Sequence, residues 1–291
     1  MPNSEALWLQ RIRKIMPNLA IEHIEINQDG LINDVIIVNQ ALVFRFAKTE
    51  KFARLLNAEA GILETIRPHV SLEIPAPFYK ENGLMVYPLL PGQPLLFEDV
   101  LDLHPPGQQG LADQLGRFLH ELHSVRTDDF IGDLPATRAY VKREQWLDFR
   151  KTFQEKVYPL LQKHQIHWIE RLFDLALMDD EFFNYAPALI HGDLAPYHIL
   201  FSPGETRVCG VIDFGMAGLG DPASDFGILI SIYGENFVSK MGSAYPNLES
   251  QLPRARFYAQ SIELEWVLRG IESGEDFWFT AHLGGARDVR Q

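Results

Sequence analysis

The chain contains little of what secreted and membrane-embedded proteins depend on. Cys209 is the single cysteine among 291 residues, which excludes an internal disulfide. No apolar stretch approaches the roughly 20 residues that a bilayer-spanning helix requires. The amino terminus lacks the basic segment and the continuous apolar run of a secretion signal. These absences predict a cytoplasmic protein without a membrane partner.

Basic residues are also few in comparison with acidic ones. Lys and Arg number 26 against 39 Asp and Glu, which gives a formal net charge of −13. Such a surface repels the phosphate backbone of DNA and RNA, so we expect no nucleic-acid partner. The charge would favour a polycationic ligand, although an ordinary acidic protein has the same balance.

The chain is longer than one hydrophobic core usually supports, so we expect two lobes of unequal size. Residues 87–94 include three prolines and one glycine, which predicts a connection between lobes. We therefore predict a smaller domain at residues 1–90, a larger one at 91–291, and a cleft between them. We expect a monomer, although the sequence does not fix the oligomeric state.

Apolar and polar residues alternate along the first part of the chain and predict β-strands. The expected strands are Ile21–Ile26, Asp34–Val38, Ala41–Phe46, Pro77–Lys80 and Leu84–Tyr87. The first three would form a meander that turns at residues 27–30. The Asn82-Gly83 pair favours a hairpin between the last two strands.

Helical periodicity dominates after the connection at residues 87–94. The expected helices are Gln109–His123, Tyr140–Leu160 and Trp168–Phe183. His120 and His123 are three residues apart, whereas the zinc-binding helix motif spaces its histidines four apart. We therefore assign these two histidines a structural role and no chemistry.

Residues 190–215 carry the most information, because two apolar runs there adjoin acidic loops. The runs are Ile199–Phe201 and Val208–Ile212, separated by the turn residues Ser202 to Glu205. This pattern predicts a short hairpin. Such a hairpin would bring Asp193, His198 and Asp213 together.

The three side chains suit phosphoryl transfer. In that reaction one aspartate orients the acceptor hydroxyl and takes its proton, while a second aspartate and another ligand hold Mg²⁺ against the phosphates. Protein kinases place the metal-binding Asn five residues after the catalytic Asp, and an Asp-Phe-Gly follows. Here His198 lies five residues after Asp193, and Asp213-Phe214-Gly215 follows. A turn would explain the motif around Asp193 or the motif around Asp213 alone. The occurrence of both motifs in this order and at this distance favours phosphoryl transfer.

In these motifs the chain resembles the aminoglycoside phosphotransferase superfamily, which shares the protein-kinase fold. The resemblance implies an α+β, two-lobed kinase-like fold with an antiparallel sheet in the small N-terminal lobe and a larger, mainly helical C-terminal lobe. It also implies that Asp193 is the catalytic base and that His198 and Asp213 hold Mg²⁺. The family usually has Asn where this chain has His198, but the 2″-aminoglycoside and macrolide phosphotransferases resembled here have His. The chain is most similar to the 2″ enzymes, although imidazole favours softer ions than Mg²⁺.

The resemblance implies a cation that contacts the α- and β-phosphates of ATP or GTP. Arg45 lies at the matching strand position, and Glu59 on the following helix is its expected partner. The guanidinium fork can bind phosphate through two parallel hydrogen bonds. Lys48 is the competing cation, and strand alternation places it on the opposite face.

Two backbone segments complete the nucleotide site that the resemblance implies. The turn with Gly30 and Asn33 would cover the phosphates, although with one glycine an ordinary hairpin explains it equally well. The backbone near Pro88 and Leu90 would hydrogen-bond the base. The sequence does not decide between ATP and GTP.

Carboxylates and aromatic rings near the carboxyl terminus suit ammonium groups on a sugar-like acceptor. The candidates are Glu235, Glu263 and Trp266, and the pattern continues with Glu265, Glu272, Glu275, Asp276, Trp278 and Phe279. An acidic helix face with buried tryptophans would have the same sequence. We expect an aminoglycoside acceptor. The apolar run 228–232 lies where the resembling aminoglycoside enzymes tend to be acidic, so a macrolide or another hydroxylated metabolite is the alternative.

Two further aspartates follow the metal-binding motif. The pattern predicts Asp221 as a helix N-cap with Pro222 at the first helical position. In the resembling family Asp225 supports the catalytic loop through hydrogen bonds.

An inactive, nucleotide-binding pseudo-kinase is the alternative from another functional class. The intact Asp193 and Asp213 argue against it. The single glycine of the phosphate turn and the presence of His198 allow it.

Overall fold

The computed structural model describes residues 4–274 apart from 29, 31, 127, 129 and 131–133. Glu275, Asp276, Trp278 and Phe279, noted above as candidates, lie outside the described residues. So does the end of the predicted larger domain.

The first part of the chain forms a five-stranded antiparallel sheet with the strand order β1-β2-β3-β5-β4. The strands are β1 (Ile24–Asn27), β2 (Asn33–Val38), β3 (Leu42–Ala47), β4 (Tyr79–Glu81) and β5 (Leu84–Pro88). Both the predicted meander and the predicted hairpin at Asn82-Gly83 are confirmed, with shifts of up to three residues at the strand ends.

Strand alternation gives the sheet two different faces. Phe44 and Phe46 point to one side and pack with Trp8 of helix α1 (Ser4–Ile15). Arg45 points to the other side, towards helix α2 (Glu50–Ile66), where it contacts a buried glutamate. This face opens towards the second half of the molecule.

Helices make up most of the second half. They are α3 (Phe97–Leu101), α4 (Pro105–His123), α5 (Arg143–Lys156), α6 (Lys163–Leu177), α7 (Ala223–Tyr233), α8 (Glu235–Ser239) and α9 (Leu248–Ser273). The three predicted helices exist with different bounds. Helix α4 begins earlier because the His104 side chain accepts a hydrogen bond from the Gly107 amide and caps the helix. Helix α6 begins earlier because Gln165 accepts from the amide of Gln162.

Five short strands also lie in the second half of the chain, before α3 and between α6 and α7. They are β6 (Gln93–Pro94), β7 (Ala188–Ile190), β8 (Ile199–Ser202), β9 (Arg207–Val211) and β10 (Gly218–Gly220). Strands β8 and β9 form the predicted hairpin, β6 pairs with β8, and β7 pairs with β10. The hairpin contacts the first half of the chain where the Val211 amide donates to the carbonyl oxygen of Glu73.

Helices α7 and α9 cross in close contact at Gly227. A Cβ atom at this position would lie 2.5 Å from the Cβ of Tyr258, so only glycine allows the observed approach. The crossing fixes the distance between two helices that line the cavity described below.

The predicted domain boundary at residue 90 falls between β5 and β6 and stays a prediction. All strands of the large sheet precede it, and helices α3 to α9 follow it. Within the described ranges, the helices are too short or too polar to cross a bilayer.

Candidate active site

The loop between β7 and β8 holds Asp193 in a fixed backbone. Gly192 has a φ of +77°, and a Cβ there would lie 2.9 Å from the Met216 carbonyl oxygen. The carbonyl oxygen of Asp193 accepts from the Ala195 amide at 2.8 Å and from His198 Nδ1 at 2.6 Å. These bonds leave the Asp193 side chain 42% exposed, so its carboxylate is accessible to a ligand.

The hairpin brings His198 and Asp213 together, as the sequence predicted. The Nε2 atom of His198 lies 3.5 Å from Oδ2 of Asp213. Nδ1 faces the Asp193 carbonyl oxygen, which can only accept, so Nδ1 carries the hydrogen in this contact. In the neutral ring Nε2 therefore presents its lone pair towards the carboxylate.

Asp213 occupies an uncommon backbone conformation with a φ of +63°. Its Oδ1 atom accepts from the Gly215 amide at 3.4 Å and lies 3.5 Å from Nη2 of Arg45. The left-handed turn directs the carboxylate back towards His198. Non-glycine residues in this region cluster at functional sites, where surrounding contacts hold the strain.

Arg45 and Glu59 form a buried ion pair beside this carboxylate. Nη1 of Arg45 lies 2.5 Å from Oε1 of Glu59. Burial raises the pKa of Glu59, against the attraction of Arg45. The structure thus places together the two residues that the sequence paired, with Nη2 of Arg45 directed at Asp213.

Lys48 lies elsewhere. Its Nζ atom donates to the carbonyl oxygens of Gln28 at 2.6 Å and Gly30 at 2.5 Å, so it closes the β1–β2 turn. Asn33 begins β2 at the end of this turn, and no donor among the described residues reaches its buried Oδ1 atom. Between the two candidate cations, the geometry favours Arg45.

The backbone around Pro88 and Leu90 has one side engaged and one side directed outwards. The Leu89 amide donates to the carbonyl oxygen of Ala41 at 2.8 Å. Successive residues of a strand direct their backbone groups to opposite sides, so the carbonyl group of Pro88, the last residue of β5, points away from β3. Strand β4 does not cover this side, because its pairing with β5 reaches only Val86.

Asp225 links the loop that carries Asp193 to α7. The Gly192 amide donates to its Oδ1 at 2.8 Å, and the His191 amide donates to Oδ2 at 2.9 Å. His123 Nε2 lies 3.1 Å from Oδ2, and Tyr245 contacts the other nitrogen of the His123 ring. Burial alone would raise the pKa of Asp225, but these donors lower it. The predicted support of the loop is confirmed, and His123 takes part in it.

Asp221 caps the start of α7 with its side chain, as the sequence predicted. The regular helix begins at Ala223, and the preceding Pro222 already has helical dihedral angles, with φ at −53° and ψ at −29°. Asp221 Oδ1 accepts from the Ala223 amide at 3.0 Å, while Arg254 Nε and the Tyr258 hydroxyl donate to Oδ2 at 2.7 and 3.0 Å. The carboxylate therefore links α7 to α9 as well as the start of its own helix.

The pKa values of Asp193 and Asp213 are shifted in opposite directions. Burial raises the pKa of Asp193, and the attraction of His198 and His191 does not cancel the effect. Burial also disfavours charge on Asp213, but Arg45 and His198 outweigh it and lower its pKa. One carboxylate is thus a better proton acceptor than usual, and the other is held as an anion.

A cavity of about 460 Å³ opens beside the Asp193 carboxylate. Helix α7 contributes Ile228 and Ile232, and α9 contributes Glu263 and Trp266. Two of the three predicted acceptor residues therefore do line it. Tyr197, Glu265 and Arg269 also line it, and of these three only Glu265 belongs to the pattern noted in the sequence. The spacing 259, 262, 263, 266 on α9 is the helical signal that identifies this face.

Glu235 is absent from this cavity, which contradicts its predicted role. Arg256 donates to both its carboxylate oxygens, Nε at 2.8 Å and Nη2 at 2.6 Å, and lowers its pKa. Gly234, with a φ of +81°, ends α7 and turns the chain. Glu235 therefore leaves the face of α7 that lines the cavity and lines a separate depression with Phe97.

His198 Nε2 and Asp213 Oδ2 form a pair of ligands that fits a divalent cation, because two lone-pair atoms converge without a hydrogen between them in the neutral ring. No larger group of His, Cys, Asp or Glu able to hold a metal occurs within the described ranges. The chain would therefore supply two ligands. Mg²⁺ typically completes its shell with water and nucleotide phosphate.

Known proteins match this chain over most of its length. The phosphotransferase enzyme family (APH) model matches residues 23–258. Viomycin phosphotransferase of Streptomyces vinaceus is 24% identical over 241 residues, which cover 79% of this chain and 80% of that protein.

Solved structures have the same fold. The GDP and kanamycin complex of APH(2″)-IIIa is 25% identical and covers 96% of both chains, with a TM-score of 0.86. A macrolide 2′-phosphotransferase type I has a TM-score of 0.74 at 18% identity, over 100% of this chain and 99% of that one, and shows the fold alone. The chain belongs to the phosphotransferase enzyme family and has its kinase-like α+β fold.

Proposed function

We propose that this phosphotransferase uses Mg²⁺ and moves the γ-phosphoryl group of ATP or GTP to a hydroxyl group of a small molecule. The observation that carries the proposal is the position of Asp193. Its carboxylate borders the cavity, and its loop also positions His198 next to Asp213. A hydroxyl bound in the cavity would therefore lie between a proton acceptor and the metal-binding pair.

Asp193 acts as the base in this proposal. Its raised pKa makes it a stronger proton acceptor than a solvated aspartate. Gly192 and Asp225 fix the loop on which it lies, so little reorganisation is needed when the acceptor binds.

His198 and Asp213 would hold Mg²⁺, which would neutralise charge on the transferred phosphoryl group. Asp213 stays anionic because Arg45 lies beside it. His198 keeps Nε2 available because Nδ1 is hydrogen-bonded to the Asp193 carbonyl oxygen. The two ligands are therefore oriented before a nucleotide binds.

Arg45 would direct the α- and β-phosphates, with Glu59 holding its guanidinium in place. The β1–β2 turn with Gly30 and Asn33 would cover the phosphates. The Pro88 carbonyl and the Leu90 amide would receive the base. ATP and GTP present different donors and acceptors to this backbone, so the two nucleotides should differ in affinity.

Two observations support two different classes of acceptor. The resemblance to the 2″-aminoglycoside enzymes, together with Glu263 and Trp266 in the cavity, supports an aminoglycoside. The apolar side chains of Ile228 and Ile232 in the same cavity support the second candidate, a macrolide or a similar hydroxylated molecule.

Nucleotide consumption tests the proposal. The full chain is incubated with Mg²⁺, with ATP or GTP, and with kanamycin, a macrolide or an amino-alcohol, alongside the Asp193→Asn protein. We expect turnover with at least one acceptor and its loss in the variant, while nucleotide binding persists. Binding of nucleotide with no acceptor-dependent turnover would favour the pseudo-kinase, and equal turnover in the variant would exclude Asp193 as the base.

A further inference from the structure

We propose that Thr137 is a positioning residue that holds one wall of the cavity in place against the two loops that carry Asp193 and Asp213, here called the aspartate loops. The proposal rests on the proposed function, because it assumes that a hydroxyl group bound in the cavity reacts beside Asp193. It is carried by hydrogen bonds and close approaches that converge on one buried side chain.

Residues 135–141 form the wall segment of the cavity. Ala139 and Tyr140 line the cavity together with Asp193 and Met216. Thr137 precedes these two wall residues, is only 7% exposed, and is not itself a lining residue. An effect of Thr137 on a bound acceptor must therefore pass through the groups that it contacts.

The backbone of the wall segment extends the small sheet of β7 and β10. The Leu219 amide donates to the Pro135 carbonyl oxygen at 2.8 Å, and the Thr137 amide donates to the Leu219 carbonyl oxygen at 3.0 Å. Ala136 thereby lies beside Leu219 in a parallel bridge. Strand β10 pairs with β7, which leads into the loop of Asp193. The wall segment is thus joined to the strand from which this loop begins.

The Thr137 hydroxyl connects the wall segment to the second aspartate loop. Its Oγ1 atom donates to the Met216 carbonyl oxygen at 2.9 Å and accepts from the Ala139 amide at 3.2 Å. A single hydroxyl group therefore uses both its hydrogen and a lone pair. It fixes Ala139 of the cavity wall relative to Met216, which lies three residues after Asp213.

The first aspartate loop packs on the same hydrogen bond. A Cβ atom at Gly192 would lie 3.1 Å from Thr137 Oγ1 and 2.9 Å from the Met216 carbonyl oxygen. A Cβ atom at Gly220 would lie 2.8 Å from the Cγ2 atom of Thr137. Both the hydroxyl and the methyl group of Thr137 therefore lie against backbone that leaves no space for adjustment.

Helix α5 supports the wall from the other side. The Tyr140 ring packs against Trp146 and Phe149, with 5.4 Å between ring centres in each case. These contacts hold the tyrosine on the helix, whereas Thr137 joins the wall segment to the aspartate loops. The position of the wall relative to the reacting groups therefore depends on Thr137.

Replacing Thr137 by Val removes the hydroxyl group and keeps nearly the same shape. The Met216 carbonyl would lose its donor, and the Ala139 amide would lose its acceptor. The wall and the aspartate loops would then shift relative to one another, and a displacement of about 1 Å reduces the rate by up to about 100-fold. Arg45 and Glu59 lie on β3 and α2, so nucleotide binding should be preserved.

Hydrogen exchange followed by mass spectrometry, on the full chain with GDP and Mg²⁺, measures this coupling without an acceptor. We expect amide exchange in Thr137→Val to become about tenfold faster in three stretches together. These are residues 134–141, 191–195 and 213–219. Faster exchange in the first stretch alone, or no change in any of them, would overturn the proposal.

Two further variants control this experiment. Thr137→Ser keeps the hydroxyl group, so its exchange should stay close to that of wild type. Thr152→Val makes the same chemical change elsewhere, because the Thr152 hydroxyl donates to the Asp148 carbonyl oxygen at 3.0 Å within α5. It should leave all three stretches unchanged, and faster exchange there would show that the effect is not specific to Thr137.

Steady-state kinetics with kanamycin and erythromycin as acceptors supply a readout that a loss of folded protein would not produce. Calorimetry with GDP counts the nucleotide-binding sites, and kcat is expressed per site. In Thr137→Val we expect kcat to fall about tenfold while the KM for nucleotide changes less than about twofold. Thr137→Ser should recover most of kcat. A comparable rise in the KM for nucleotide, or no recovery by serine, would overturn the positioning role.

Failure of this inference differs from failure of the proposed function. If neither acceptor is phosphorylated, the pseudo-kinase is favoured, and hydrogen exchange still decides whether Thr137 couples the wall to the aspartate loops. Equal acceptor-dependent turnover in wild type and Thr137→Val would refute the role of Thr137 and leave the transferase proposal in place.

Discussion

Replacing Asp225 by Asn tests how strongly one buried carboxylate holds the catalytic loop. Both oxygens accept from backbone amides of this loop, His191 at 2.9 Å and Gly192 at 2.8 Å. Asparagine keeps a single oxygen, so one of these amides loses its acceptor and faces an NH₂ group instead. His123 can keep its contact by changing tautomer, because each of its ring nitrogens has a polar partner.

The magnitude follows from these contacts. Loss of one hydrogen bond to a charged group, with its donor left buried, costs about 2–4 kcal/mol of unfolding free energy. For a chain of this length such a change lowers Tm by roughly 5–10 °C. The loop that carries Asp193 would also lose its position, and a displacement of about 1 Å reduces kcat by up to about 100-fold.

Urea unfolding and steady-state kinetics measure both effects. Asp174→Asn is the matched control, because Asp174 pairs with Arg150 at 2.9 Å and is 48% exposed. A solvent-accessible pair of this kind contributes about 0–1 kcal/mol, and Arg150 keeps its contact with Glu170, so the control should remain close to wild type in stability and in kcat.

The pH dependence gives a second check. The pKa of Asp225 is lowered in the folded protein, so its stabilisation is present above the pKa of the unfolded chain and is lost as the pH falls towards the folded value. The difference in unfolding free energy between wild type and the Asn variant should therefore become smaller below about pH 4. A destabilisation below about 1 kcal/mol at neutral pH, or an unchanged kcat, would refute the role assigned to Asp225.

Three further predictions concern the site and its supports. Burial raises the pKa of Asp193, and the base must be ionised to act, so kcat/KM should fall with decreasing pH at a pH above the ordinary pKa range of aspartate. A pH profile of kcat/KM that stays flat down to about pH 4, the pKa of a free aspartate, would contradict this. Arg45→Lys keeps the charge but not the fork held by Glu59, so we expect the Kd for nucleotide to rise about tenfold, measured by calorimetry, and an unchanged Kd would show that Arg45 does not contact phosphate. Gly227→Ala places a Cβ 2.5 Å from that of Tyr258 and should lower the unfolding free energy by about 1–3 kcal/mol in urea, whereas an equally stable variant would mean that the two helices separate without cost.

Local patterns were enough to predict most elements of the fold. The strands around Phe44 and the hairpin at Asn82-Gly83 follow from alternation and turn chemistry, which depend on neighbouring residues only. Helix ends were predicted less well, because caps such as His104 are not among the common capping residues.

The proximity of the candidate site residues also followed from local patterns in the sequence. Asp193, His198 and Asp213 lie within about 20 residues of one another, so a hairpin prediction was sufficient to bring them together. The contact of Arg45 with Glu59 needed only strand and helix periodicity in addition. The roles of all five in nucleotide binding and catalysis remain predictions.

The sequence by itself determined most of the strands and helices and the motif that identifies a phosphotransferase, because each depends on residues close together in the chain. The tertiary structure alone decided which side chains share the cavity. Glu235 is directed away from it by the turn at Gly234, whereas Arg269 enters it from the last described helix, more than 70 residues beyond Asp193. The pKa values of Asp193 and Glu265 depend on the same long-range packing, because burial and neighbouring charges are set by segments far apart in the sequence.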